Sequence, residues 1–161
     1  MTPWLTEAKK FIGMREVYGS PTAPFIARWL SELKAWWNDD ETPWCGTAVA
    51  AWMNACSISR PKEWYRAKSW ASWGSPLIEP VEGCVVVFER TGGGHVGLVV
   101  GVDKTGRLMV LGGNQGNSVC IAPFDRSRAI AYRWPTERID LLLSASLPVL
   151  DSNQASSKNE A

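Results

Sequence analysis

An excess of charge of either sign is missing from this chain: Lys and Arg number 17 against 16 Asp and Glu, a formal net charge of +1 over 161 residues. That balance removes the basic footprint with which a dedicated nucleic-acid binder neutralises phosphates. Long apolar runs are also missing. Charged residues interrupt every stretch before the roughly 18 consecutive apolar positions a membrane span needs, so no stable membrane insertion is expected. The start, Met1-Thr2-Pro3-Trp4-Leu5-Thr6-Glu7, has neither the basic opening nor the apolar run of a secretory signal. Cysteine is sparse, at 45, 56, 84 and 120, with no CxxC pair. The expectation is reduced thiols rather than a disulfide framework. These spacings, taken with the single histidine, fit no zinc ribbon. Asp39-Asp40-Glu41 lacks the alternating oxygen ligands and central glycine of a calcium loop and reads as a solvated acidic turn. Neither a metal nor an organic cofactor is expected.

What is present is a globular composition, 45% hydrophobic and 20% charged, with ten tryptophans. The length fits one domain with a substantial core. Thr2-Pro3 is a cap-plus-proline helix opening, followed by Leu5, Ala8 and Ile12 at helical spacing, with Gly13 as the stop. A second helix is predicted over 24–36, with Phe25, Trp29, Leu33 and Trp36 on one stripe. Thr42-Pro43 repeats the opening and leads into 44–56, apolar almost all round, as a helix inside a domain is. A fourth helix is predicted over 61–72, ended by Gly74-Ser75-Pro76. From Cys84 onward the period becomes strand-like, at 85–88, 96–102, 108–111, 119–121 and 130–134, and Asp103-Lys104-Thr105-Gly106 marks a hairpin turn. Helices followed by closely connected strands predict an α+β fold with an antiparallel sheet of about five strands. Residues 1–135 read as the domain. Residues 136–161 read as an extension with apolar residues at helical spacing from 139 to 150, then a disordered polar tail.

Cys45 falls at the third position of the helix predicted from Thr42, where the unpaired N–H groups and the dipole of a helix N-terminus favour a thiolate. It also shares a face with Val49, Trp52 and Cys56, the setting of a buried cysteine that is only a small hydrophobe. His95 is the only histidine, so any imidazole proton transfer near neutral pH must use it. It follows Thr91-Gly92-Gly93-Gly94 and opens a strand, which places the ring at a sheet rim or, more blandly, on a surface turn. In the predicted hairpin eight residues from His95 and eight ending at Asn114 flank a four-residue turn, setting the two strand ends opposite each other. That is the layout of a Cys/His/Asn triad. Asn114 among glycines is equally a left-handed turn residue. Trp44 beside the thiol, with Trp70 and Trp73 at a helix end, are candidates to line a groove as flat indole faces, or else ordinary packing.

Pro43-Trp44-Cys45-Gly46, Glu82-Gly83-Cys84-Val85-Val86-Val87-Phe88, Gly94-His95-Val96-Gly97, Leu111-Gly112-Gly113-Asn114-Gln115 and Tyr132-Arg133-Trp134-Pro135, in this order, resemble the NlpC/P60 and CHAP superfamily. The likeness is greatest to its compact single-domain branch among phage endolysins and related wall hydrolases. The resemblance spans about 1–135 and implies a papain-like fold and hydrolysis of an amide bond in the peptides of bacterial peptidoglycan. It makes Cys45 the nucleophile, His95 the general base and Asn114 the orienting residue, with Gln115 as substitute for the third role or as a substrate contact. The pattern departs from the family in three places. Gly112 stands where CHAP members often carry Glu, no second histidine can serve as third member, and Cys84 replaces a frequent Asp.

The reading is an endolysin-type endopeptidase, expected to be a monomer, and the missing export signal fits synthesis in the host cytoplasm with release to the wall through a holin or a secretion apparatus. An N-acetylmuramoyl-L-alanine amidase and an antibacterial effector toxin of the same chemistry remain alternatives. A non-enzymatic tryptophan-rich wall-binding module is the competing class, and it requires Cys45 to be dispensable.

Overall fold

The computed structural model describes residues 1–17, 22–38 and 42–151. The Asp39-Asp40-Glu41 turn and the tail beyond Asp151 lie outside these described residues. Helix α1 (Pro3–Lys9) opens as its cap predicts, Thr2 Oγ1 accepting from the Leu5 N–H at 3.4 Å, and buries Trp4, Leu5 and Ala8. Helix α2 (Pro24–Glu32) is shorter than predicted. The chain leaves it through Lys34 at φ 60°, so Trp36, expected on the buried stripe, is 90% exposed. Helix α3 (Cys45–Ala55) begins later than Thr42-Pro43 predicts, with Trp44 at the cap position. Cys45 is therefore the first helical residue rather than the third.

The predicted helix over 61–72 is a set of turns ending in a 3₁₀ segment, Ala67–Ser72. Its backbone bonds run from residue i to i−3, as in Arg66 N–H to Glu63 O and Ser69 N–H to Arg66 O. A tight winding of this kind brings the Trp70 indole N–H back onto the Trp64 carbonyl at 3.0 Å.

Strands β1 (Ser75–Leu77), β2 (Val85–Arg90), β3 (Gly93–Asp103), β4 (Leu108–Gln115), β5 (Ser118–Phe124) and β6 (Ala129–Trp134) form one sheet in the order β1-β6-β2-β3-β4-β5. All of these pairings are antiparallel. The five predicted strands are β2 to β6, and β1 is an addition at one edge. Beyond Pro135 the chain winds as 3₁₀ turns over Thr136–Ser144 rather than an α-helix. It ends in a two-residue strand, β7 (Val149–Leu150), parallel to the end of β3. Helix α3 lies across β3 and β4, buried on almost every side. This explains its all-round apolar sequence.

The β3–β4 turn is held by one carboxylate. Asp103 Oδ1 accepts from the Thr105 and Arg107 N–H groups, both at 2.9 Å, and from the Thr105 hydroxyl at 2.7 Å, while Oδ2 accepts from the Arg107 guanidinium at 2.6 Å. Burial pushes this carboxyl up, but the four donors outweigh it and hold the pKa at about 2 against an ordinary 3.8. A folded-state pKa below the unfolded one stabilises the fold above about pH 4, and that contribution is lost as pH falls from about 4 towards 2. Asp103→Asn is expected to lower the melting temperature at pH 7 and to flatten its decline between pH 4 and 2, as read by circular dichroism.

Candidate active site

Helix α3 and strand β3 bring the first two candidates together from distant parts of the chain. At the helix start a Cβ on Gly46 would lie 2.5 Å from the Trp64 carbonyl oxygen. Glycine there lets Cys45 seat against the 64–65 backbone. The backbone N–H of Val96, the residue after His95, hydrogen-bonds the Cys45 sulfur, and the N–H groups of Gly46 and Cys45 itself also act on it. The thiol therefore sits against β3 beside the imidazole-bearing residue. Burial nevertheless pushes the Cys45 thiol above its ordinary pKa, and these amides together with the Arg90 charge only partly offset it. A helix N-terminus favours a lowered value, but desolvation of Cys45, a residue 3% exposed, reverses the sign.

His95 is fully buried rather than on an open rim. Its ring stacks on Phe124, with centroids 5.3 Å apart and planes at 11°, and lies nearly parallel to Phe88 at 6.3 Å. Phe88 sits opposite His95 in the β2–β3 ladder. The Arg128 guanidinium covers both phenylalanines, 5.9 and 5.7 Å from their centroids. This aromatic stack fixes the imidazole plane.

The third candidate requires a correction. The group on the imidazole is Gln115, whose Oε1 lies 2.9 Å from His95 Nε2. Asn114 is buried, but its Oδ1 has no hydrogen-bond partner among the described residues. The β3–β4 ladder pairs Val102 with Leu108, shifts by one residue between Val99 and Gly101, and ends at the Leu98–Leu111 pair, three residues short of the His95–Asn114 opposition that the hairpin count predicts. Asn114 adopts φ 58°, and the β4–β5 register shifts between Gly112 and Gln115. A bulge of this kind reverses the alternation of faces beyond it. Gln115 thereby takes the face of Gly112. A Cβ at 112 would overlap Gln115 Oε1 and come 3.4 Å from His95 Nε2, so the missing side chain at Gly112 is the space the glutamine fills.

The amide is locked. Gln115 Nε2 donates to the Cys120 carbonyl at 2.8 Å and the Val110 carbonyl at 3.2 Å. Only the oxygen is left for the ring, and an oxygen can only accept. This assigns the hydrogen to His95 Nε2 and leaves Nδ1 as the basic nitrogen.

The three tryptophans expected along a groove are core residues. Trp44, Trp70 and Trp73 are 1%, 0% and 8% exposed. Their indole N–H groups donate to Glu16 Oε1, the Trp64 carbonyl and the Ser59 carbonyl. Buried indoles pinned in this way tie the irregular 59–73 segment to the domain. Trp70→Ala is expected to cost about 3–5 kcal/mol of stability, measured by chemical denaturation.

The cleft that does reach Cys45 has a volume of about 360 Å³ and is walled by Tyr65, Arg66, Lys68, Arg90 and the glycines 92–94. Sequence reasoning missed these cations, and also Phe88 and Phe124, because their roles depend on strand pairing. A second recess, between the helices and lined by Glu7, Phe11, Arg28 and Glu32, contains none of the candidate groups.

Residues 37–114, just under half of the chain, match the CHAP domain family. A CHAP domain is thus detected over this segment. It carries Cys45, His95 and Asn114 and stops one residue before Gln115. The CHAP domain is papain-like, in agreement with the observed helices and antiparallel sheet, and points to peptidoglycan hydrolysis as the kind of activity. CHAP domains are typically cysteine- and histidine-dependent amidohydrolases or peptidases. No curated protein matches the chain.

Proposed function

We propose that this protein is an endolysin-type endopeptidase that cleaves an amide bond in the peptide stem of peptidoglycan, with Cys45 as nucleophile, His95 as acid and base, and Gln115 as the residue that orients the imidazole. The observation that carries the reading is the meeting of the Cys45 sulfur with the β3 backbone at Val96, next to an imidazole whose tautomer Gln115 fixes.

His95 Nδ1 takes the thiol proton as the sulfur attacks the carbonyl carbon, forming the C–S bond. The amides at the start of α3 face the developing oxyanion. As the C–N bond breaks, the imidazolium returns the proton to the leaving amine. Water then gives a proton to the imidazole and adds to the acyl carbon, the C–S bond breaks, and the sulfur recovers its proton. The enzyme works on the wall as a monomer, reached by holin- or secretion-dependent release.

Digestion of purified peptidoglycan followed by mass spectrometry of the muropeptides tests this reading. New amino termini on diaminopimelate or alanine are expected. Free lactyl groups would instead mean an N-acetylmuramoyl-L-alanine amidase, and an unchanged wall would overturn the enzymatic reading.

A further inference from the structure

The groove beside Cys45 carries charge of one sign. Among the described residues lining it, Arg66, Lys68 and Arg90 are cations and none is a carboxylate. Arg90 is close enough to act on the sulfur, and its Nε donates to the Gly94 carbonyl at 3.3 Å. Arg66 and Lys68 stand at the groove wall. Each has an acidic neighbour outside the groove, Arg66 Nε lying 3.6 Å from Glu63 and Lys68 Nζ 2.7 Å from Glu89. The side chains of both pairs are about half exposed or more, from 48% to 67%. Ion pairs at such exposure hold weakly, so an incoming anion can take over either cation.

Part of the lining is bare backbone. At Gly92 and Gly93 a Cβ would meet nothing within 4 Å, so an extended peptide can lie against the main chain there. At Gly94 a Cβ would come 3.0 Å from Lys68 Cγ and 2.9 Å from the Phe88 carbonyl oxygen. The lysine stem is thus laid over the glycine rim and its ammonium is carried to the edge of the groove.

We propose that this groove selects stem peptides bearing a free carboxylate next to the scissile amide, and that Arg66 and Lys68 receive that carboxylate. The inference rests on the hydrolase reading above and specifies its substrate class: the acid form of the stem, in preference to the carboxamide form that differs from it by one charge.

Paired synthetic muropeptides, identical except for carboxylate or carboxamide at the residues flanking the cleaved bond, provide the test. A charge-assisted hydrogen bond of this kind corresponds to an acid-over-amide preference of about tenfold or more in kcat/KM for the wild type. In the doubly substituted Arg66→Gln, Lys68→Gln protein the preference is expected to fall to within about twofold of unity, chiefly through KM. Melting temperature, together with the single variants Arg66→Lys and Lys68→Arg, which keep the charge and the preference, separates this loss from misfolding. A wild type that cleaves both forms equally, or a double variant that keeps the full preference, overturns the inference while leaving the hydrolase reading intact. A wild type that cleaves neither overturns both.

Discussion

Cys45→Ala is expected to lower peptidoglycan hydrolysis by about 10³-fold or more while the far-ultraviolet spectrum and the melting temperature stay close to those of the parent. The substitution removes one sulfur from a helix start that Ala48, Val49 and Trp52 already anchor in the core. A binding module made of aromatic residues predicts the opposite, full function without the thiol. Because burial raises the thiol pKa above its ordinary value, the free enzyme is expected to hold this sulfur protonated at neutral pH. Only the thiolate is alkylated, so the rate of Cys45 labelling by iodoacetamide should climb about tenfold per pH unit through the neutral range and continue to rise into the alkaline range. A labelling rate already flat from pH 5 to 8 would mean a resting thiolate–imidazolium pair and would overturn this assignment. Cys84 provides an internal control. Burial raises its pKa to about 12, and it is fully enclosed under β2, so it should remain unlabelled in the same digest.

The placing of Cys45 at a helix start and of His95 on a neighbouring strand was legible in the sequence, because these residue types leave little choice. There is one histidine, and one cysteine sits where a helix begins. The order of helices and strands was legible for the same kind of reason, since the change from a helical period to a strand period at Cys84 is unmistakable. Local winding was less so. Trp36 reads as a stripe residue until Lys34 turns left-handed and ends α2 early. The tryptophans near 64–73 read as a groove because indole faces suit one, whereas turns and a 3₁₀ segment fold them inward onto backbone carbonyls. The third member of the site depends on a single torsion. The hairpin count brought the 114–115 end of β4 to the His95 end of β3, but no count shows that a left-handed Asn114 hands the imidazole to its neighbour. The hint was the run Gly112-Gly113-Asn114-Gln115-Gly116, in which an asparagine among glycines is a ready left-handed residue.

That torsion makes the Gly112–Gln115 pair the more discriminating target. Gln115→Ala is expected to reduce kcat on the order of 10²- to 10⁴-fold with KM little changed, because the ring loses the acceptor that keeps the hydrogen on Nε2 and the base on Nδ1. Gln115→Glu supplies an acceptor at the same place and should recover part of the loss. Gly112→Ala leaves the glutamine in the chain but fills the space its oxygen occupies. The amide then has to swing off His95, and a misplacement of about 1 Å can cost up to roughly 10²-fold, again in kcat. Asn114→Gly keeps the positive φ and removes a side chain whose oxygen makes no hydrogen bond among the described residues, so activity within about twofold of the parent is expected, an inconsequential change in transition-state free energy. If Asn114→Gly were the inactive protein and Gln115→Ala the active one, the imidazole would be oriented by Asn114, and the bulge would have no part in building the site.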